Sequence, residues 1–302
     1  MRSPRALIPL FSVCAAAAVV TAAATGAGIE DIPGGGDSAH ADGAVAHADG
    51  TEAGAEFVTI NAMTWNVCGD AEPGCPLGTD PAGLGKKIVQ RMKATEVGGR
   101  TVSTNAVLLQ EVCEGHVRTF KKTLGKWSWA FAPLPKGPSC VQGQGRLGVA
   151  IGTDAELTHA EDTELPGPAD RAPLALCGDV PSWTTRVCVT QLDPADGDDW
   201  RRKQAGALVD LAGPGRVLVG GDLADVPDSP SLDPLYDAYA ECDQTGSSRT
   251  GANTRQDWRG TAVDKTDYLF TTRSAAVSCS VPNTRTEASD HRPLSAAVRY
   301  RP

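Results

Sequence analysis

Apolar and polar positions alternate through Phe57–Trp65, the period-two signature of a strand with one buried face. Lys86–Thr95 carries Ile88, Val89 and Met92 at helical spacing, and the segment predicts a helix. Asn105–Glu111 holds the uninterrupted run Ala-Val-Leu-Leu, as a strand buried on both faces would. Glu114–Leu124 then reads as a second helix. Further strands are expected over Arg146–Gly152, Thr184–Leu192, Arg216–Gly220, Lys265–Thr271 and Leu294–Tyr300. Between them, Asp198–Leu211 is expected to be helical, with Ala205, Leu208, Val209 and Leu211 on its apolar face. Strands of mixed spacing with helices between them point to sheets covered by helices, a mixed α/β architecture.

The run Gly143-Gln144-Gly145-Arg146-Leu147-Gly148 matches a dinucleotide fingerprint in letters only. That fingerprint needs a strand before it and a helix after it, and here a strand follows, so the segment reads as a turn.

The first 55 residues differ from the rest. Arg2 and Arg5 precede an Ala-rich apolar stretch ending in Ala22-Ala23-Ala24, the pattern of a cleaved signal peptide over residues 1–24. A membrane anchor is the alternative, but Pro9 and Ser12 interrupt a run that must reach about 20 apolar residues to span a bilayer. Cys14 follows Val13, a poor context for lipidation. Residues 25–55 are Gly, Ala, Asp and His, with Ala-His-Ala-Asp-Gly at Ala39–Gly43 and again at Ala46–Gly50; they are expected to form a low-complexity, disordered linker rather than a metal-binding tract. The folded domain is expected over 56–302.

Nine cysteines become eight when Cys14 leaves with the signal, an even number suited to an oxidising compartment. None forms a Cys-x-x-Cys pair, which argues against zinc. Near-neighbour pairing gives Cys68–Cys75, Cys113–Cys140, Cys177–Cys188 and Cys242–Cys279, one of the 105 connectivities that eight cysteines allow. The formal charge is −9; six of the 37 acids and two of the 28 bases precede Glu56, so the domain carries −5. That excludes the basic footprint of a tight, sequence-blind nucleic-acid binder, though not an enzyme that approaches phosphate through cations.

Five short segments place polar or acidic groups at the ends of apolar runs: Met63-Thr64-Trp65-Asn66, Leu108-Leu109-Gln110-Glu111, Val219-Gly220-Gly221-Asp222, Lys265 to Phe270 around Asp267, and Ser289-Asp290-His291. Singly, each is an ordinary cap or turn. In their order and spacing they resemble the endonuclease/exonuclease/phosphatase family over about residues 57–300. The resemblance implies a four-layer sandwich of two packed mixed β-sheets flanked by helices, and hydrolysis of phosphate esters with Mg²⁺ or Mn²⁺. It implies that Glu111 binds the metal with Asn66 and Asp290 nearby, that Asp222 orients or deprotonates the attacking water, that His291 contacts the phosphate, and that Asp267 supports the site and orients a histidine. Hard cations and oxygen ligands suit this chemistry, because they neutralise a phosphate that would otherwise repel the nucleophile.

Two positions depart from the family pattern. Thr190-Gln191-Leu192 stands where the family has Thr-His-Leu, and Gly221-Asp222-Leu223-Ala224 where it has Gly-Asp-x-Asn. Glutamine carries no proton at neutral pH, and general acid help is worth about 10²–10⁴-fold. One preorganised donor, such as the missing Asn, is worth about 10²–10³-fold. Asp225 on an extended segment would point away from the site. His116, in the helix after Glu111, and His159, in a loop, are expected to be solvent-exposed. A secreted metal-dependent phosphoesterase and a catalytically impaired relative of the same fold, acting as a binding protein, both remain open. No Gly-x-Ser-x-Gly elbow is present for a serine hydrolase. The substrate is a phosphate ester of nucleic acid, of a phospholipid head group or of a small molecule, and the protein is expected to be a monomer. Loops around 69–81, 133–145 and 245–260 are expected to set the substrate choice. The last reads first as a solvated loop, yet its Arg249, Arg255, Arg259 and Trp258 are of the kinds that contact phosphate and stack on a base.

Overall fold

The computed structural model describes residues 57–301 except 73, 136, 169–171 and 196. The expected signal peptide and linker lie outside the described residues. In chain order the elements are β1 (Val58–Asn66), α1 (Pro81–Lys93), the small hairpin β2 (Thr95–Val97) and β3 (Arg100–Val102), β4 (Ala106–Cys113), α2 (Glu114–Thr123), β5 (Ser128–Pro133), β6 (Leu147–Thr153), β7 (Thr158–Glu164), β8 (Leu174–Val180) and β9 (Thr185–Gln191). They continue with α3 (Asp198–Ala212), β10 (Val217–Asp222), α4 (Asp233–Ala238), β11 (Ala240–Glu241), β12 (Asp267–Thr271), β13 (Ala276–Ser280) and β14 (Leu294–Tyr300).

Two six-stranded sheets result, ordered β13-β14-β1-β4-β6-β5 and β11-β12-β10-β9-β8-β7. Both are mixed: β1 runs parallel to β4 and β9 parallel to β10, while the other pairs are antiparallel. Their facing surfaces bury Ile60, Leu108 and Ile151 of the first sheet against Leu176, Val189, Leu218 and Leu269 of the second. On the outside of the first sheet, Met63, Trp65 and Leu109 pack on Leu84 and Ile88 of α1 and Phe120 of α2. On the outside of the second, Cys188, Val219 and Phe270 pack on Leu208 of α3 and Leu235 of α4. The molecule is therefore the expected four-layer sandwich. Apolar side chains on both faces of β4 and β10 explain why these strands read as unbroken apolar runs.

Local signals set the boundaries. α1 begins earlier than expected because Asp80 caps it, its carboxylate accepting from Gly83 N at 3.0 Å, and Pro81 takes the first helical position. β5, β7, β8, β13 and α4 escaped the pattern reading. β7, Thr-His-Ala-Glu-Asp-Thr-Glu, is an exposed edge strand whose charges guard an unpaired rim, so it shows no alternation. Glycine has one decisive task in the core. A Cβ at Gly220 would meet the Leu108 and Leu269 side chains at 2.6 and 2.8 Å and Thr64 at 3.3 Å, so its absence lets the sheets approach directly behind Asp222.

The expectation that His116 and His159 are solvent-exposed is corrected in part. His116 is buried at 3% exposure: at the third position of α2 its Nδ1 accepts from Cys113 N, and its Nε2 lies 2.9 Å from Pro81 O at the start of α1. Burial lowers its pKa, so it ties two helices together as a neutral ring. His159 is exposed, but it stands in β7 rather than in a loop, at a register irregularity with φ 48°. Gly143 and Gly145 form a left-handed turn leading into β6, as the turn reading requires.

The four disulfides join Cys68 to Cys75, Cys113 to Cys140, Cys177 to Cys188 and Cys242 to Cys279. The last links β13 of one sheet to the residue after β11 of the other. No helix among the described residues is long and apolar enough to cross a membrane.

Candidate active site

The parallel pairs bring the carboxyl ends of β1 with β4, and of β9 with β10, to the same end of the sandwich. Register places Asn66 opposite Gln110, Asp222 opposite Gln191, and Asp222 also opposite Asp267. The segment entering β14 lies across this end: Ser289 Oγ donates to Asn66 O at 2.8 Å, His291 N donates to Ser289 Oγ at 2.9 Å, and Trp65 Nε1 donates to His291 O at 2.9 Å. A cleft of about 420 Å³ results, lined by Asn66, Glu111, Gln191, Asp222, Ala224, Asp290 and His291 among others. Of the eight residues that the family resemblance singles out, Asn66, Glu111, Gln191, Asp222, Ala224, Asp290 and His291 border this cleft, and Asp267 lies behind His291 at 0% exposure.

Asn66 joins the halves of the site. Its Nδ2 donates to Glu111 Oε1 at 2.9 Å, on the first sheet, and to Asp222 Oδ2 at 3.1 Å, on the second. Its orientation is fixed because Cys68 N donates to its Oδ1 at 3.1 Å. Glu111 sits at a bulge of β4 with φ 50°, a strained conformation of the kind held at functional sites. Burial raises its carboxyl to about 7. Burial likewise raises Asp222, to about 6.

His291 has the opposite balance. Burial disfavours its charge, but the Asp267 and Asp222 carboxylates outweigh this and raise it to about 10. Its Nδ1 lies 2.7 Å from Asp267 Oδ2, while Nε2 faces Asp222 Oδ2 at 3.7 Å. The result is a cationic donor at the floor of the cleft, held by a buried carboxylate.

The two positions expected to depart from the family pattern have defined places. Gln191 donates from Nε2 to Glu111 Oε1 at 2.6 Å. Ala224 cannot supply an Asn side chain, but its backbone N donates to Asp222 Oδ1 at 3.0 Å. It does so at φ 53°, a left-handed conformation that Asn tolerates better than Ala. Ala224→Asn is therefore expected to add stability of a few tenths of a kcal/mol to about 1 kcal/mol, read as a higher denaturation midpoint. A lower midpoint would show that no strain is stored there. Asp225 turns away, its Oδ2 taking Arg201 Nε at 2.9 Å and the Ser229 and Ser231 hydroxyls at 2.8 and 2.6 Å.

Of the three loops expected to shape specificity, that at 69–81 contributes Gly74 and Pro76 to the cleft and that at 245–260 contributes Arg255, Asp257 and Trp258. The loop at 133–145 does not line it; Cys140 ties that loop to Cys113, and Gln142 and Gln144 face a groove between α1 and α2 instead. Arg249 is also elsewhere, paired with Asp233 at 2.6 Å and stacked on Tyr236. Sequence reasoning missed Arg285, a second cation of the cleft, because no apolar run flags its loop.

Residues 63–291 match the model of the endonuclease/exonuclease/phosphatase family. Among solved structures, the human Nocturnin catalytic domain with bound sulfate is 17% identical, with a TM-score of 0.60, covering 81% of this chain and 96% of that one. The endonuclease/exonuclease/phosphatase of Bacteroides vulgatus is 16% identical at 0.59, covering 80% and 98%. ANGEL2, described as a 2',3'-cyclic phosphatase, is 14% identical at 0.54, covering 80% and 95%. No curated protein matches. At these identities the structures speak for the fold, while the family match spans most of the chain and every cleft residue named above: the chain belongs to the endonuclease/exonuclease/phosphatase family.

Proposed function

We propose that the protein is a secreted, divalent-cation-dependent phosphoesterase that hydrolyses a phosphate ester by direct attack of water. The observation that carries this reading is the joining of Glu111, Asn66 and Asp222 by one side-chain amide, beside a histidine held cationic by a buried aspartate. Four disulfides among the described residues support an oxidising destination.

The donor set fits Mg²⁺ or Mn²⁺: Glu111 and Asp290 offer hard carboxylate oxygens beside the Asn66 amide, and a buried carboxyl raised to about 7 is a group that a cation would return to its ionised form. Glu111, with Asn66 and Asp290 beside it, would hold the ion, which would supply charge neutralisation at the phosphate. The protein's own groups do the rest. Asp222, at about 6, is ionised at neutral pH yet basic enough to take a proton from water. The Ala224 amide and the Asn66 side chain fix both its oxygens. His291 presents Nε2–H toward the cleft, where a phosphate oxygen can accept it as charge develops. Gln191 holds Glu111 in place without supplying a proton.

Turnover of a small chromogenic phosphodiester is expected to need Mg²⁺ or Mn²⁺ and to be abolished by chelation and by Glu111→Gln. Activity surviving both would sink the reading. The second reading, an impaired relative that binds without turnover, draws on Gln191 and Ala224. It predicts wild-type rates no higher than those of Glu111→Gln on every ester tried, and a gain of activity in Gln191→His with Ala224→Asn.

A further inference from the structure

The most exposed large apolar side chain among the described residues is Trp258, at 78%, and it borders the catalytic cleft. Indoles are among the side chains that gain most from burial, so an open one on a fixed support calls for a ligand. The support here is fixed. Trp258 sits in a tight turn in which Asp257 Oδ1 accepts from Arg259 N at 2.9 Å and from Thr261 N at 2.8 Å, and Gly260 N donates to Asp257 O at 2.8 Å. Gly260 has φ 84°, and a Cβ there would strike the Arg285 side chain. Gln256 N donates to Asp290 O at 2.8 Å, and Arg292 donates to Gly260 O at 2.8 Å and to Gln256 Oε1 at 3.2 Å. The turn is thus bolted to the segment that carries His291.

Three arginines stand around the ring beside the Asp257 carboxylate, which the turn's backbone N–H groups engage. The Arg259 guanidinium lies over the indole, 4.6 Å from its centroid, and with the ring this exposed the opposite face is open. Arg255 lines the same cleft, held only by a 3.8 Å contact with Asp264. Arg285 lines it too and makes no hydrogen bond or ion pair among the described residues. A flat aromatic surface beside two available guanidiniums, on the approach to a phosphate-cleaving centre, matches a phosphate that carries a nucleobase. Insertion into an anionic lipid surface is opposed by the Asp257 carboxylate beside the ring.

We propose that the substrate is single-stranded nucleic acid: an unpaired base stacks on Trp258 while Arg255 and Arg285 hold the phosphate next to it. The inference rests on the phosphoesterase reading for the place of the scissile phosphate. Because the domain is acidic overall, affinity comes from these few contacts. Two phosphates neutralised on a single strand correspond to a log–log salt slope of about −1.4.

The test is binding of a labelled single-stranded oligothymidylate to Glu111→Gln protein, read by fluorescence anisotropy, so that no turnover is needed. Comparators are an abasic strand of equal length, a blunt duplex, and vesicles of phosphatidylcholine and sphingomyelin. Adding Trp258→Ala is expected to weaken strand binding about tenfold or more, whereas Trp258→Phe keeps it within about threefold. The abasic strand should be bound equally with and without the Trp258→Ala change. Equal affinity for base-bearing and abasic strands, no strand binding at all, or a Trp258-dependent preference for vesicles would each overturn the proposal. Hydrolysis of the small chromogenic diester by wild-type protein, which has no base to stack, reports separately on the phosphoesterase reading.

Discussion

Asp267→Asn is expected to cut turnover by about 10²–10⁴-fold and to move the basic limb of the pH–rate profile to lower pH. The size follows from the task. Asp267 is wholly buried, its Oδ2 lies 2.7 Å from His291 Nδ1, and of the charges acting on that ring it contributes most to the raised pKa of about 10. On the phosphoesterase reading, Asp222 must be ionised, which sets the acidic limb, and His291 must be protonated, which sets the basic limb. Without the Asp267 charge, less opposes the cost of burial and the histidine loses its proton at a lower pH. The acidic limb should move far less. The measurement is kcat/KM against pH in saturating Mg²⁺ for both proteins. A uniform loss of activity with both limbs in place would assign Asp267 a packing role and sink the electrostatic one.

The second large effect concerns stability. Lys265 Nζ, on a side chain 2% exposed, lies 3.3 Å from Glu241 Oε1, on one 0% exposed, and 3.7 Å from Asp243 Oδ2. It also faces the Tyr268 ring at 5.0 Å. Removing Glu241 leaves the buried ammonium with only the more distant, partly exposed Asp243 carboxylate. Glu241→Gln is therefore expected to destabilise the fold by about 3–5 kcal/mol, against a total of about 5–15 kcal/mol for a domain. Replacing both, Glu241→Leu with Lys265→Met, should cost much less, since buried pairs barely outperform apolar ones of similar volume. Denaturant titration with the disulfides intact measures both. Equal losses in the single and double variants would show that the pair matters for its shape and not for its charge.

The candidate site was legible because its residues sit in or beside runs that packing makes conspicuous. Asn66 and Asp222 end β1 and β10, Glu111 follows the apolar run within β4, Asp267 opens β12 and His291 lies just before β14. The sandwich followed from the same runs through the family resemblance. Contacts that depend on register were not legible. That Gln191 reaches Glu111 follows only when β9 lies beside β10 and the two sheets stack. Glu241 and Lys265 stand 24 positions apart in polar surroundings, and nothing local says that both are buried. His116 looked like a surface residue because its partners, the Cys113 and Pro81 backbone groups, are set by helix packing and leave no trace in spacing. Trp258 was visible as an aromatic among arginines, but whether it faced the cleft or open water depended on a turn fixed by Asp257, Gly260 and Arg292.

The bond between Cys242 and Cys279 fastens the margin of one sheet to the margin of the other. The reactive end is a seam: Asn66 and Glu111 stand on one side of it, Asp222 and Gln191 on the other. A slip of one sheet past the other by a single residue, about 3.3 Å, would part every hydrogen bond that crosses it. The staple acts as a dowel in a joint, turning two separately deformable slabs into one indexed body, so that alignment of the reacting groups is inherited from the frame and need not be found anew with each encounter.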